Sequence, residues 1–325
     1  MIIMQLRNTC FAYLFFTLVI ILLLFSSVRS SFAGTKIQPS KNPLMILDAD
    51  KQFKYAQDLF SAQDYLTAAG EYKRFVYFFP KDPRVELAMY RIGLSHFLDG
   101  HYREAIGAFK KLTEQYFETE YSIKSYYRIS EAYIKLKAPD QALIDLNNLA
   151  TITRNEDVKD EAYYRIAWIY IETASWDEAR RYFNKISPKN RQKFELKKIS
   201  AELNKVSAIP KKNPKLAGVL AVVPGAGYLY CGRYQDALIS FLLNGGLIYA
   251  AYESFDKGQS ALGGVISFVA FGFYSGNIYG SVSSAHKYNR QKTGEFIQHL
   301  KNNIKINLSA DMKNQGISLS LQWSF

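Results

Sequence analysis

Cysteine is almost absent from this chain of 325 residues: there are two, Cys10 and Cys231. Cys10 lies in an apolar leader, so once that leader is gone no internal disulfide can form. Cys231 sits in an apolar stretch and reads as a small packing residue. No cysteine follows the leader, which argues against a lipid anchor of the bacterial lipoprotein type. Histidine is scarce too, with four (His96, His101, His286, His299), and no two share a helix face at metal-binding spacing. There is no G-x-x-x-x-G-K-[ST] phosphate loop, and Gly258-Gln259-Ser260-Ala261-Leu262 is not a nucleophile elbow. The sequence thus offers no catalytic residue, no metal ligand and no cofactor site, and it is read as non-enzymatic with no small-molecule substrate. A concentrated basic segment is also missing. The net charge is +12, but residues 211–325 carry eleven Lys/Arg against five Asp/Glu, only half of that excess. A nucleic-acid binder gathers its basic charge on one face or tail. Basic residues flanking membrane segments account for this distribution better, so nucleic acid is not expected as a partner.

What is present points to an ordered chain with two halves. Hydrophobic residues make up 48% and aromatics 15%, which excludes a disordered polymer. Residues 1–33 read as a secretory signal peptide or an uncleaved signal anchor. Arg7 gives the positive start, residues 11–25 are apolar, and Ser31-Phe32-Ala33 places small residues before Gly34. Either way the following residues are exported. Residues 34–48 form a linker.

From residue 49 the chain repeats. Tyr55-Ala56, Ile92-Gly93, Ile129-Ser130 and Ile166-Ala167 recur every 37 residues. Twelve residues after each small residue stands an alanine (Ala68, Ala105, Ala142, Ala179), and four further on a large apolar residue (Tyr72, Phe109, Leu146, Phe183). A fixed period of this size means stacked copies of one supersecondary unit. Each unit reads as two helices. Met89, Ile92, Gly93 and His96 share one face of the first, Asp99-Gly100 breaks the pattern, and Tyr102, Ala105, Phe109 and Leu112 share a face of the second. The small residues mark close helix approach. Residues 49–205 contain every complete unit and are expected to fold alone as a soluble helical fragment.

These positions resemble the tetratricopeptide repeat. Its small, aromatic, alanine and aromatic positions are filled here by Gly93, His96, Ala105 and Phe109, and again by Ala167, Tyr170, Ala179 and Phe183. The terminal proline is kept at Pro80, and the first-helix tryptophan is absent. The resemblance implies a solenoid that binds protein partners. The period exceeds the family's common one of about 34 residues and resembles that of Gram-negative envelope proteins that coordinate outer-membrane assembly and division.

One double column is striped through all four units: aromatic Phe53, Tyr90, Tyr127, Tyr164, then basic Lys54, Arg91, Arg128, Arg165. The resemblance places the aromatic column on the inner groove. Tyr90, Arg91, Tyr127, Arg128, Tyr164 and Arg165 are therefore the candidate partner-binding residues, with guanidinium forks for carboxylates. The same column can instead be scaffolding, each arginine pairing with an acid of the adjacent unit.

After a basic linker, 206–215, composition changes to a membrane-like module, 216–290. Three apolar stretches follow, 216–230, 237–252 and 261–282. The third is long enough to cross a bilayer, the second is marginal, and the first is short and broken by Pro224-Gly225. Gly272, Gly276 and Gly280 share one helix face, as close contact in lipid requires. Residues 224–232 fit P-G-x-G-x-x-Y-x-G through Pro224, Gly225, Gly227, Tyr230 and Gly232. That motif looks like the one in small bacterial two-helix membrane modules. Asn244 and Asn277 resemble polar positions of tetratricopeptide membrane proteins with a similar tail. Both asparagines lie at depth and need partners, each other being one choice. Lysine and arginine flank both ends of the module. With one or three crossings only the C-terminal flank obeys the positive-inside rule for an exported solenoid; with two, neither does.

In the tail, 291–325, residues 317–325 alternate strictly, so a short C-terminal β-hairpin is available. The sequence as a whole is read as an all-α tetratricopeptide helix-hairpin solenoid followed by a helical membrane module. The expected function is a membrane-anchored scaffold for other envelope proteins, in contact with membrane lipid. The repeats would be exported to the periplasmic side, with the inner membrane favoured over the outer. The alternative is a subunit of a transport or insertion machine whose membrane helices carry the activity.

Overall fold

The structure, a computed structural model, describes residues 48–304. The leader, the linker before residue 48 and the C-terminal hairpin expected from the sequence lie outside the described residues. Among those described, every regular element is helical.

Four helix pairs come first: α1 Ala49–Ser61 with α2 Tyr65–Phe78, α3 Val85–Leu98 with α4 Tyr102–Gln115, α5 Glu120–Lys135 with α6 Pro139–Ile152, and α7 Glu156–Glu172 with α8 Trp176–Lys185. Local chemistry sets their starts. Asp64 caps α2 by accepting from the Thr67 amide, Thr119 caps α5, and Asn155 caps α7 through two amides. Pro139 occupies the first turn of α6, where its missing N–H costs nothing. Within each pair the turn contains one residue in the left-handed region: Gln63, Gly100, Lys137 and Ala174. These recur at the same 37-residue spacing as the packing positions. Only Gly100 is visible as a turn residue in the sequence, because the other three carry side chains that rarely take this conformation.

The predicted small residues hold the helices together. Ala56, Ala68, Ala105, Ala142, Ala167 and Ala179 are all fully buried. A Cβ on Gly93 would lie 2.5 Å from the Phe109 ring, so α3 and α4 touch where glycine stands. Tyr72, Phe109, Leu146 and Phe183 fill the space between helices.

The solenoid does not end with its last repeat. Helix α9, Leu196–Leu203, and the short 3₁₀ segment Asn204–Ala208 pack Ile199, Leu203 and Val206 into the core of the last two units. After them come α10 Pro214–Leu220, α11 Ala226–Tyr230, α12 Tyr234–Asp256 and α13 Ser260–Asn303. Helix α13 is one unbroken rod of 44 residues, about 66 Å long at 1.5 Å per residue. It runs straight through residue 290, where the sequence placed the end of the membrane module. Its last turns return to the solenoid: Leu300 and Ile304 are buried in the same core as Phe183 and Ile199. Phe296 meets Trp176 edge-on at 5.6 Å. Lys301 pairs with Glu172 at 2.7 Å, and Lys198 donates to the Asn303 carbonyl.

This contact bears on the expectation that residues 49–205 fold alone. Such a fragment lacks part of its cap. Burial of a residue such as Leu300 or Ile304 is worth about 1.5–3 kcal/mol. Fusing residues 291–304 to the fragment through a flexible linker is expected to raise its thermal midpoint by several degrees. Equal midpoints with and without the segment would show that the contact adds nothing.

Helices α12 and α13 form an antiparallel hairpin turned at Gly258, whose φ is +73°. Its residue distribution is inverted relative to a water-soluble core. Asn244, Ser254, Asn277, Ser281 and Ser284 are buried, whereas Phe268 is 80% exposed and Leu242, Ile248, Phe271 and Tyr279 also face outward. Of the three apolar stretches read from the sequence, only the one within α13 lies in a helix long and apolar enough to cross a membrane, among the described residues. The first is split into α10 and α11 around Pro224-Gly225.

Candidate functional site

The double column lies along α3, α5 and α7. Tyr90 and Tyr164 are buried, and Tyr127 is half-buried. Tyr90 packs against Phe109 and Tyr121, and Tyr164 stacks on Phe194 at 4.5 Å between ring centres. Burial pushes the Tyr164 phenol up to about 12. The arginines follow a rule of their own. Arg91 lies 4.5 Å from the Phe60 ring centre, Arg128 lies 5.5 Å from that of Phe97, and Phe60 and Phe97 are themselves one repeat apart. Arg165 lies over Tyr127 at 4.3 Å. Each guanidinium thus rests on a ring of the preceding unit.

The acids are supplied unevenly. Glu131, buried on α5, accepts from Arg128 at 2.7 Å and from Arg165 of the next unit at 3.1 Å. Arg165 also takes Glu161 at 2.8 Å. Burial opposes both charges, but the neighbouring carboxylates outweigh it and hold both guanidinium groups charged. One repeat earlier than Glu131 the chain has Leu94, and two repeats earlier than Glu161 it has Leu87. Arg91 accordingly has no acid: among the described residues no hydrogen bond or ion pair holds its guanidinium. Of the three arginines, two pair with acids inside the solenoid and one is a rung without a carboxylate. Sequence reading grouped them because the column of arginines is regular; the irregular column of acids is what separates them.

The second candidate site is the P-G-x-G-x-x-Y-x-G segment, whose glycines serve close approach or a left-handed turn. Gly225 has φ +86°, and a Cβ there would lie 2.3 Å from the Ala237 carbonyl oxygen. Gly227 lets α11 approach the Ala217 carbonyl of α10 and Ser281 of α13, at 2.4 and 2.6 Å from a would-be Cβ. Gly232 takes φ +78° at the turn into α12. Pro224 sits in the break between α10 and α11, immediately before Gly225. The Tyr230 hydroxyl accepts from the Asn213 amide at 3.1 Å.

Asn277 joins these pieces. Its Nδ2 donates to the Ala221 carbonyl at 2.7 Å, while its Oδ1 accepts from the Gly225 amide at 3.1 Å and from the Ser240 hydroxyl at 2.8 Å. One buried side chain therefore ties the end of α10, the Pro-Gly turn and α12 to α13. Asn244 does not pair with Asn277. Its Nδ2 donates to the Ser240 carbonyl at 2.9 Å on its own helix, and its Oδ1 has no partner. Ser240 is the intermediary that sequence reading missed: a single serine in an apolar helix makes no pattern.

The glycine stripe divides in the same way. Gly280 is in close contact, with the Tyr228 ring against it. Gly272 and Gly276 have nothing within 4 Å of a would-be Cβ. They line an open cleft of about 400 Å³ with Ser240, Asn244 and Phe273, which corrects the expectation of a closely packed stripe.

Residues 87–116 and 161–187 match the family model of the tetratricopeptide repeat. These segments fall on the second and fourth helix pairs described above. The helix pairs form a tetratricopeptide-like solenoid. Among solved structures, a tetratricopeptide-repeat protein from Parabacteroides merdae is similar at 16% identity, covering 78% of this chain and 99% of its own, with a TM-score of 0.38. A repeat protein from Bacteroides fragilis is similar at 14% identity, over 79% of this chain and 99% of its own, with a TM-score of 0.33. No curated protein matches the sequence.

Proposed function

We propose that this tetratricopeptide-repeat chain is a non-enzymatic scaffold of the bacterial envelope, held to a membrane by the α12–α13 hairpin and binding protein partners through its solenoid. The observation that carries the binding reading is Arg91. It is a mostly buried guanidinium, laid on Phe60, with no acid of its own. A carboxylate on a partner completes the arrangement that Glu131 already makes for Arg128. Membrane attachment is supported by the inverted hairpin, with polar groups inside and aromatic and aliphatic groups outside. The reading also fixes a parity. The last turns of α13 rest on the solenoid, so on this reading both flanks of the hairpin share one side of the membrane, with α12, marginal by composition, entering beside α13. In that arrangement the leader and the flanking lysines pull in opposite directions. We place the solenoid on the exported side of the inner membrane because the leader precedes it.

The test combines capture with stability. Partners crosslinked in intact cells are recovered with the wild-type chain, with Arg91→Gln and with Arg165→Gln. Arg91→Gln is expected to lose an adduct with its melting temperature unchanged, whereas Arg165→Gln lowers the melting temperature. An adduct pattern untouched by Arg91→Gln would sink the carboxylate role. If adducts instead vanish with substitutions confined to α12 and α13, the membrane helices carry the activity and the alternative reading holds.

A further inference from the structure

The foot of the hairpin carries a basic cluster that neither the repeats nor the motif explains. Asn289 of α13 clamps the backbone of Lys212 at two points. Its Oδ1 accepts from the Lys212 amide at 2.7 Å, and its Nδ2 donates to the Lys212 carbonyl at 2.8 Å. This draws Lys211 and Lys215 beside Lys287 and Arg290, and all four are exposed. Among the described residues none of the four has an ion-pair partner. The nearby acids are already engaged, Asp236 by Arg233 at 2.5 Å and Glu295 by Lys292 at 2.7 Å. Lys212 lies between two rings, 4.6 Å from the centre of Tyr230 and 5.6 Å from that of Tyr288. The cluster begins two turns beyond Tyr279, the last large apolar side chain exposed on α13. Free cations, with tyrosines beside them, thus gather where the apolar face ends, which is the level of lipid headgroups in a bilayer.

We infer that this collar seats the hairpin on anionic phospholipid, with headgroup phosphates paired to Lys211, Lys215, Lys287 and Arg290. Charge complementarity selects the occupant: four unpaired cations at one level, on the solenoid side, match a sheet of phosphates. The inference rests on the membrane reading proposed above.

The full chain is incorporated into phosphatidylcholine bilayers containing a trace of spin-labelled phosphatidylglycerol or spin-labelled phosphatidylcholine. The fraction of each label immobilised against the protein is then measured. The expected result is a preference of about fivefold or more for the anionic lipid, given roughly 1 kcal/mol per surface cation, and a decline as salt is added. Replacing all four cations by glutamine should bring the two labels to parity, while exchanging lysine and arginine among them should preserve the preference. Parity for the incorporated wild-type chain overturns the collar alone. Failure of the chain to enter either bilayer overturns the membrane reading and the collar with it.

Discussion

Glu131→Ala is expected to destabilise the solenoid by about 3–5 kcal/mol, the usual cost of removing one partner from a buried ion pair. Glu131 is 7% exposed and its carboxylate bridges two repeats, taking Arg128 of its own helix and Arg165 of the next. Arg165 keeps Glu161 after the change. Arg128 does not: its remaining neighbours are the Tyr90 hydroxyl and the Phe97 ring. A desolvated guanidinium with no counter-ion is among the most unfavourable groups a core can hold. The denaturant midpoint of the helical signal measures the loss. A second variant keeps the reasoning exposed to failure. In Glu131→Met with Arg128→Met both charges are gone, and much of the stability is expected to return, because apolar groups of similar volume can replace a buried pair. If the single and double variants are equally unstable, the damage comes from lost packing at these positions and not from the orphaned charge. By the same logic Arg91→Ala is mild, since no acid is left behind.

This difference among three arginines explains what the sequence could and could not disclose. Repetition reveals whatever every unit shares. The fully buried alanines, the tight approach at Gly93 and the helix pairs were all legible, because the same steric demand falls on each copy. Pairing partners are not shared. The acids that meet Arg128 and Arg165 stand at Glu131 and Glu161, and columns that hold leucine at Leu94 and Leu87 carry no visible signal. The left-handed turn residues escaped for a related reason: at Gln63, Lys137 and Ala174 the turn is closed by backbone bonds, from the amides of Asp64, Ala138 and Ser175 to the carbonyls of Leu59, Tyr133 and Tyr170, and backbone bonds leave no mark in the side chains. The cap was least legible. Leu300 joins the core that holds Phe183 and Ile199 from about a hundred residues further along the chain. Its pattern there is that of any amphipathic helix. In the hairpin, glycine counting was right about Gly280 and wrong about Gly272 and Gly276, because a stripe tells that a helix can be approached and not whether anything approaches it.

The two asparagines of the hairpin look equivalent in the sequence, and the structure ranks them far apart. Asn277→Leu is expected to dismantle the junction of α10, α11, α12 and α13. It strands the Ala221 carbonyl, the Gly225 amide and the Ser240 hydroxyl at once. Each stranded group costs about 1–3 kcal/mol in a protein interior, and water cannot step in if the hairpin lies in lipid. Relief by a shift of the Pro-Gly turn is blocked, since Gly225 already sits at φ +86° against the Ala237 carbonyl. Asn244→Leu removes only bonds to Ser240 within its own helix and an oxygen that had no partner. It is expected to be neutral or slightly stabilising. Trypsin reads the contrast in the full chain. Its targets Lys211, Lys215 and Arg233 flank the junction, and cutting there should accelerate at least tenfold for Asn277→Leu, given that about 1.4 kcal/mol is already a factor of ten in local opening. The Asn244→Leu chain should be cut at the wild-type rate. Equal cutting of both variants would mean that depth in the membrane decides the cost of an asparagine. The unequal result means that its hydrogen-bond partners do, and that the motif residues fold around Asn277 as a unit.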